Sequence, residues 1–440
     1  MRIMWITSRL LPDACRAVGY PEQVVGGWMQ SQLDALQRRY GNAHEYLVLA
    51  SDARPCEVQL GNVRHRSFGD GTTTYGDCVP TDVEDEALLV VKKFHPDVIH
   101  VHGTEFFYGR MCKRVYGDIP VVVSLQGILH GYAPFVTGAI GPKEVFRDQF
   151  NLRRVVYGRT IFKEQAFWQR RRIPQEELIF KAHRHFMGRT NWDLAWTNAL
   201  NPTAAYHHVN ETLRQEFYEK ARHDRAVIRS HSVYCSAAAG YPLKGAHFLL
   251  RAVSFLKGKY PDISVRICAA ERLTVSKRTW LEVLKTDQYT TYLRRLIREY
   301  GLENHVVGLP RLSAAEVADE LSLAEVFVLP SLCENSPNSL GEAQLIGTPA
   351  IATFVGGIPS VLHDGIDGRL VPSGDPAALA NMIDWYFAHP KEADAYARLA
   401  QRHALDRHDP MRNAEATMRT YEDVIASALK EKGNILNDEK

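Results

Sequence analysis

Short β-branched runs alternate with helical patterns along almost the whole chain, and the alternation begins again halfway. Arg2–Thr7 is apolar on both faces, as a strand buried in a parallel sheet must be. Gly26-Gly27 then opens a helical pattern with Met29, Leu33, Leu36 and Tyr40 on one face. Further strands are expected at Tyr46–Ala50, Asp97–His102, Pro120–Leu125, His185–Thr190 and Tyr206–Val209, with helices at Asp82–Phe94, across Lys143–Arg172 and from Asn191. The second series places strands at Val227–Ser236, Ile263–Ala269, His305–Gly308, Glu325–Leu329 and Ala350–Phe354. Its helices carry their own start signals, a capping box at Ser313–Glu316 and an Asp375-Pro376 N-terminus.

Two such series, without a repeat of about 20–50 residues, predict two doubly wound α/β domains in tandem. The expected division is 1–218 for the first and 226–385 for the second, with the polar segment Glu219–Arg225 as linker. Helices at 386–430 are free to pack back on the first domain, and 431–440 reads as a flexible tail. Ligands of these sheets bind beyond the carboxyl ends of the strands. Two facing Rossmann-like domains therefore put a site in the cleft between them.

Composition excludes several classes. With 45% hydrophobic and 24% charged residues, the 440-residue chain is neither disordered nor fibrous. A net charge of +2 is too small for a polycation that coats nucleic acid, so no nucleic-acid partner is expected. The 7 cysteines are scattered and form no Cys-x-x-Cys pair, which points to a reducing compartment. The start lacks the long apolar run of a signal peptide. Ile119–Pro142 carries no charged side chain, but its glycines and prolines break it into a strand and a loop, not a membrane span.

The most informative window is Leu329–Pro349, LPSLCENSPNSLGEAQLIGTP. A buried strand ends, Glu334 sits on the following loop, and Pro337, Asn338 and Ser339 begin a helix with Glu342 about one turn inside. Free amides and the positive dipole end at such a start favour a phosphate. A carboxylate just inside can accept from both hydroxyls of a ribose, and one on the loop can reach a group beyond the phosphates. Two solvated acids near a helix start would look the same in isolation.

The wider context resembles family 4 of the retaining glycosyltransferases, whose GT-B fold is two facing α/β domains. Their paired glutamates, separated by seven residues, are matched by Glu334 and Glu342. Gly347-Thr-Pro, Val355-Gly-Gly-Ile-Pro359 and Asp364-Gly-Ile-Asp-Gly368 follow in order, and Tyr241-Pro-Leu-Lys-Gly245 resembles the family's lysine-bearing helix start. Gly26-Gly27-Trp28 and Asp97-Val-Ile-His-Val-His-Gly103 are similar to first-domain motifs. The resemblance implies a hexosyltransferase that retains anomeric configuration and requires no metal or other cofactor. Its donor would be a nucleotide diphosphate sugar, UDP ahead of GDP, and its acceptor a polysaccharide, glycan or lipid-linked saccharide. The Tyr-Pro-Leu-Lys-Gly form is similar to bacterial capsule and O-antigen transferases.

On this resemblance Lys244 neutralises the leaving diphosphate and Glu334 orients the donor sugar. Glu342 holds the ribose, Asn338 and Ser339 offer amides to phosphate, Gly26 and Gly27 admit the diphosphate, and His102 and Gln126 lie near the sugar. Two departures stand out. Alanines 238 and 239 occupy the positions where the family commonly has an arginine, and Gln126 stands where it has a histidine. Arg189, at the carboxyl end of a first-domain strand, is a candidate replacement cation; the competing reading is a salt bridge to Glu211 at the sheet edge. His100 and His102 share a strand face, but no third ligand follows at useful spacing, and no metal site is expected. The rival functions are a catalytically silent nucleotide-sugar-binding subunit and a GT-B epimerase or phosphorylase.

From Arg147 to Arg172 there are eight basic residues against two acids, with Phe150, Val155, Tyr157, Ile161, Phe162, Phe167 and Trp168 interleaved among them. This cluster predicts docking on an anionic membrane surface; the alternative packs the aromatics on the sheet. The expected localisation is accordingly cytoplasmic, free or peripheral on the inner face of the cell membrane.

Overall fold

The structure, a computed structural model, describes residues 1–21, 26–72, 78–147, 160–222, 225–236, 240–274 and 287–438. Both expected sheets form. The first contains β1 (Arg2–Thr7), β2 (Glu45–Ser51), β3 (Glu57–Leu60), β4 (Val63–Phe68), β5 (Val98–His102), β6 (Val121–Ser124), β7 (His185–Gly188) and β8 (Ala205–His208). Their spatial order is β3-β4-β2-β1-β5-β6-β7-β8, and only β3 runs antiparallel to its neighbour. The second sheet, wholly parallel, contains β9 (Ser232–Cys235), β10 (Ser264–Ile267), β11 (Val306–Gly308), β12 (Val326–Leu329), β13 (Ala350–Thr353) and β14 (Arg369–Val371). Its order, β11-β10-β9-β12-β13-β14, is the doubly wound one. Connections leave in opposite directions from β1 and β5 in one sheet and from β9 and β12 in the other, so each sheet has a switch point where loops diverge and a ligand can enter.

The chain divides into two compact units, but not at a single point. Met1–Leu129, Gln169–Leu213 and His408–Lys440 form the first, and His130–Trp168 with Arg214–Arg407 form the second. Segment 130–168, expected in the first domain, thus joins the second. Its anchors are long-range: His247 Nε2 lies 3.0 Å from the Gly138 carbonyl, and Glu144 pairs with Arg295. The final helix, Pro410–Asp438, returns to the first unit and packs against the helix Gly27–Tyr40.

Several expectations need correction. β3 and β4 are not legible in the sequence, because EVQL is a half-exposed edge strand and VRHRSF, paired on both sides, interleaves its buried Val63, His65 and Phe68 with polar residues and has no continuous apolar run. The strand expected over Val227–Ser236 begins only at Ser232, since His231 adopts a positive φ of 50° and interrupts the extended chain. Residues 431–438, expected as a loose tail, continue the last helix, whose Leu429-Lys-Glu-Lys run contains good helix formers. The capping box at Ser313 and the N-cap at Asp375 both form as expected.

A buried polar chain ties the last helix to the first sheet. The Trp5 indole N–H donates to the Tyr421 hydroxyl (2.9 Å), which lies 2.7 Å from His100 Nδ1. Burial pushes the His100 imidazole down to about 3, so it is neutral at pH 7. Nδ1 must then accept from Tyr421, leaving Nε2–H to donate to Ser124 Oγ at 2.5 Å. Ser124 Oγ in turn lies 3.8 Å from Met187 sulfur. Tyr421→Phe should therefore strand a buried indole N–H and a ring nitrogen together. We expect a loss of about 1–3 kcal/mol, the desolvation cost of unpaired buried polar groups; denaturant unfolding of the first unit checks it, and a loss below about 0.5 kcal/mol would contradict the network.

Candidate functional site

Three short segments converge at the switch point of the second sheet. After β9 the chain makes a single 3-10 turn, Pro242–Lys244, and Gly245 follows at φ 74° before the helix Ala246–Leu256. A Cβ on Gly245 would sit 1.9 Å from the Pro330 carbonyl oxygen, so only glycine lets this turn rest on the end of β12. The Leu332 amide donates to the Leu243 carbonyl (2.8 Å) and fixes the register. From the other side Gly356, at φ 50°, would place a Cβ 2.0 Å from the Glu334 carbonyl oxygen, which accepts from the Gly357 amide at 2.9 Å. The loop carrying Glu334 is therefore clamped by two glycine turns.

This clamp brings two expected site residues into direct contact. Lys244 Nζ donates to Glu334 Oε1 at 2.6 Å, and the Ser331 hydroxyl donates to the same oxygen at 2.8 Å. The carboxylate is 6% exposed and the lysine 32%, so the ammonium alone reaches solvent appreciably. The Asn335 amide donates to the Tyr132 hydroxyl at 3.0 Å, placing an aromatic from segment 130–168 beside the loop. Burial and the Glu334 charge push the adjacent Cys333 thiol up to about 12, so it is no nucleophile at neutral pH.

Glu342 lies in the helix Asn338–Ile346, as expected. Pro337 at the N-cap supplies no side-chain cap, and the Asn338 and Ser339 side chains are half-buried and make no hydrogen bond among the described residues. The first amides of this helix are thus available to an anion. Arg214 Nη2 donates to Glu342 Oε1 at 2.8 Å. Burial raises the Glu342 carboxyl above its usual range, against the pull of the Arg214 guanidinium. Arg214 was not among the residues singled out in the sequence. Its pairing with Glu342, 128 residues away, had no local signal.

The remaining candidates belong to the first unit. Gly26 is left-handed (φ 93°) and caps the helix Gly27–Tyr40. His102, at the carboxyl end of β5, is fully buried between Trp5 and His100, with ring centroids 4.6 and 3.9 Å away. Neither of its ring nitrogens has a partner among the described residues. Burial, then His100 and Arg189, drive its imidazole well below the usual range, so it stays neutral. Gln126 follows β6 and is half-buried. Arg189 adopts the structural alternative: Nη1 pairs with Glu211 at 2.7 Å, both side chains are 6% exposed, and Nη2 donates to the Leu125 carbonyl at 2.6 Å. Alanines 238 and 239 lie outside the described residues. Sequence reasoning also missed Glu105, three residues beyond His102, whose carboxyl burial pushes up to about 7 against the pull of Arg172 and whose Oε2 has no partner among the described residues.

Residues 219–403 match the family model described as glycosyl transferases group 1. Among curated proteins, the chain is similar to the D-inositol 3-phosphate glycosyltransferase of Streptomyces coelicolor, 34% identical over 169 residues that make up 38% of this chain and 35% of that protein. The corresponding enzyme of Paenarthrobacter aurescens is 28% identical over 213 residues, 48% of this chain and 49% of that protein. The chain thus spans less than half the length of these two relatives. Among solved structures, sucrose-phosphate synthase from Thermosynechococcus elongatus superposes with a TM-score of 0.68 at 15% identity, covering 97% of this chain and all of that one. Anabaena HepE in complex with UDP gives 0.63 at 15% identity, covering 96% of this chain and all of that one. The likeness is one of fold, and that fold is GT-B.

The buried Arg189–Glu211 pair gives a test that separates structure from chemistry. Arg189→Met leaves Glu211 charged, buried and unpaired, and should cost about 3–5 kcal/mol of stability. Adding Glu211→Leu should recover most of it. Thermal or urea unfolding of both variants checks this; equal destabilisation of single and double variants would speak against a locked pair.

Proposed function

We propose that this chain is a glycosyltransferase moving a hexose from a nucleotide diphosphate sugar, UDP ahead of GDP, to a polysaccharide, glycan or lipid-linked acceptor, with retention and with no metal in the transfer step. The observation that carries the reading is the contact of Lys244 with Glu334 at the switch point, within the matched residues 219–403 and beside the uncapped helix that bears Glu342. A lysine held by a buried carboxylate is preorganised, and its ammonium retains access to an arriving anion.

In the proposed mechanism the diphosphate takes the amides of Asn338 and Ser339, and Glu342 accepts from the ribose with the oxygen that Arg214 leaves free. As the sugar–phosphate bond breaks, negative charge grows on the departing diphosphate and Lys244 stabilises it. The same diphosphate oxygen assists removal of the proton from the incoming hydroxyl on the same face, which retains configuration. Glu334 orients the donor sugar. In the first unit, Gly26 and Gly27 serve the diphosphate, and the unpaired His102 and Gln126 serve the sugar. Arg189 acts as a positioning residue through the Leu125 carbonyl that precedes Gln126.

Incubation with UDP- and GDP-sugars tests the activity directly: slow release of the nucleoside diphosphate is expected with one of them, and binding without release would identify a silent subunit. Lys244→Ala should lower turnover on the order of a hundredfold or more, with donor affinity less affected. Glu342→Ala should weaken nucleoside diphosphate binding by about 1.5–3 kcal/mol in calorimetry. Unchanged turnover in the first, or unchanged affinity in the second, would remove the residue from the site.

Docking on an anionic membrane is proposed as the way the acceptor is reached. No helix among the described residues is long and apolar enough to cross a membrane. The centre of the basic cluster, 148–159, lies outside the described residues; at its edge Phe167 is 42% exposed, whereas Trp168 is buried. Binding to anionic vesicles should fade with salt and with Arg170, Arg171 and Arg172 changed to Ser. Equal partition onto neutral and anionic vesicles would sink the idea.

A further inference from the structure

A second cluster in the second unit has no part in the proposed transfer. The turn before β14 carries His363 and Asp367, and the helix Pro390–Arg407 carries His403. The Asp367 side chain is fully buried, while those of His363 and His403 are 48% and 40% exposed. Asp367 Oδ1 accepts from the His363 amide at 2.5 Å, which fixes the carboxylate plane. Its other oxygen, Oδ2, faces both imidazoles: His363 Nδ1 at 3.0 Å and His403 Nδ1 at 2.8 Å. One potential ligand atom from each residue lies within 4.8 Å of the other two. None of the three bonds to Lys244, Glu334 or Glu342. Arg407, close enough to feel the Asp367 charge, donates to Gln344 instead.

We propose that His363, Asp367 and His403 form a binding site for a divalent transition metal of the zinc class, which clamps the helix Pro390–Arg407 to the turn before β14. Two imidazoles and one carboxylate are the donors such a cation takes, and three protein ligands leave one coordination position for water. Bonds of about 2.0–2.1 Å in a tetrahedron separate ligand atoms by roughly 3.3 Å. The two nitrogen–oxygen pairs need open by a few tenths of an ångström, while the histidine ligand atoms, within 4.8 Å of each other, close toward the same separation. Protons balance without a co-reactant: when Nδ1 takes the ion, the proton it carried passes to solvent and the ring keeps one proton, on Nε2. Neither Nε2 has a partner among the described residues, so both can donate to solvent. The fixed carboxylate supplies the negative charge. The spacing escaped the sequence because His403 lies 36 residues beyond Asp367.

The probe is Zn²⁺ alone, titrated into the full chain by calorimetry and followed by thermal unfolding. His403→Asn and His363→Asn are the informative variants, because the asparagine amide occupies the place of Nδ1 and still donates to Asp367 but ligates zinc poorly. Wild type should take up one equivalent more than either variant, or bind that equivalent at least about tenfold more tightly. Its Tm should rise with Zn²⁺ while those of the variants do not, as ligand binding to the folded state requires. Retention of zinc uptake and of the Tm response in both variants would overturn the site, as would the absence of either response in wild type. A variant that loses stability without zinc and keeps wild-type uptake would reduce the cluster to a hydrogen-bonded clamp, which also overturns it.

Discussion

The Pro330 carbonyl oxygen occupies the space where residue 245 would carry a side chain. This one approach of backbone to backbone decides where Lys244 ends up, because the lysine immediately precedes the contact and its turn is pinned by the Leu332–Leu243 hydrogen bond. A mirror contact at Gly356 holds the Glu334 carbonyl from the opposite side. Between the two, the Glu334 side chain points toward Ser331 and Lys244. An ammonium–carboxylate contact that would be weak on an open surface becomes a fixed feature, since the entropy of positioning both groups is lost during folding rather than when a ligand arrives.

The second sheet places this cluster where doubly wound folds bind ligands. β9 and β12 are neighbours whose following connections diverge. The loop after β9 brings the lysine and the loop after β12 brings the glutamate. No strand contributes a site side chain of its own in this unit, so the sheet works as a frame and the chemistry lies on the loops. Arg214 extends the cluster toward Glu342. It offsets part of the burial, which still holds the Glu342 carboxyl above its usual range.

Legibility in the sequence followed the range of the interactions. The parallel strands, the capping box at Ser313 and the Asp375 N-cap are local and could be read directly. So could the spacing of Glu334 and Glu342, because a strand, a loop and one helical turn determine it. The edge strand β3 and its neighbour β4 could not, since their polar alternation resembles a loop when the partner strand is unknown. Segment 130–168 joined the second unit through contacts with Pro242, His247 and Arg295, each more than a hundred residues away. Arg189 shows the same limit from another side. Sequence supplied both candidate roles, and only the burial of Glu211 beside it and the Leu125 carbonyl within reach selected the ion pair.

The polar chain through Trp5, Tyr421, His100 and Ser124 bears on the order in which the molecule is made. Residues 1–129 leave the ribosome before the second unit, but the helix that supplies Tyr421 leaves after it. Throughout synthesis the indole and imidazole of the nascent first sheet wait without their hydroxyl partner, and the apolar face under the final helix stays uncovered. The second unit can close once its last residue, Arg407, has emerged, whereas the first must await the helix around Tyr421. Vectorial synthesis and structural completion therefore run in opposite directions: the unit whose first strands emerge earlier is the one completed later.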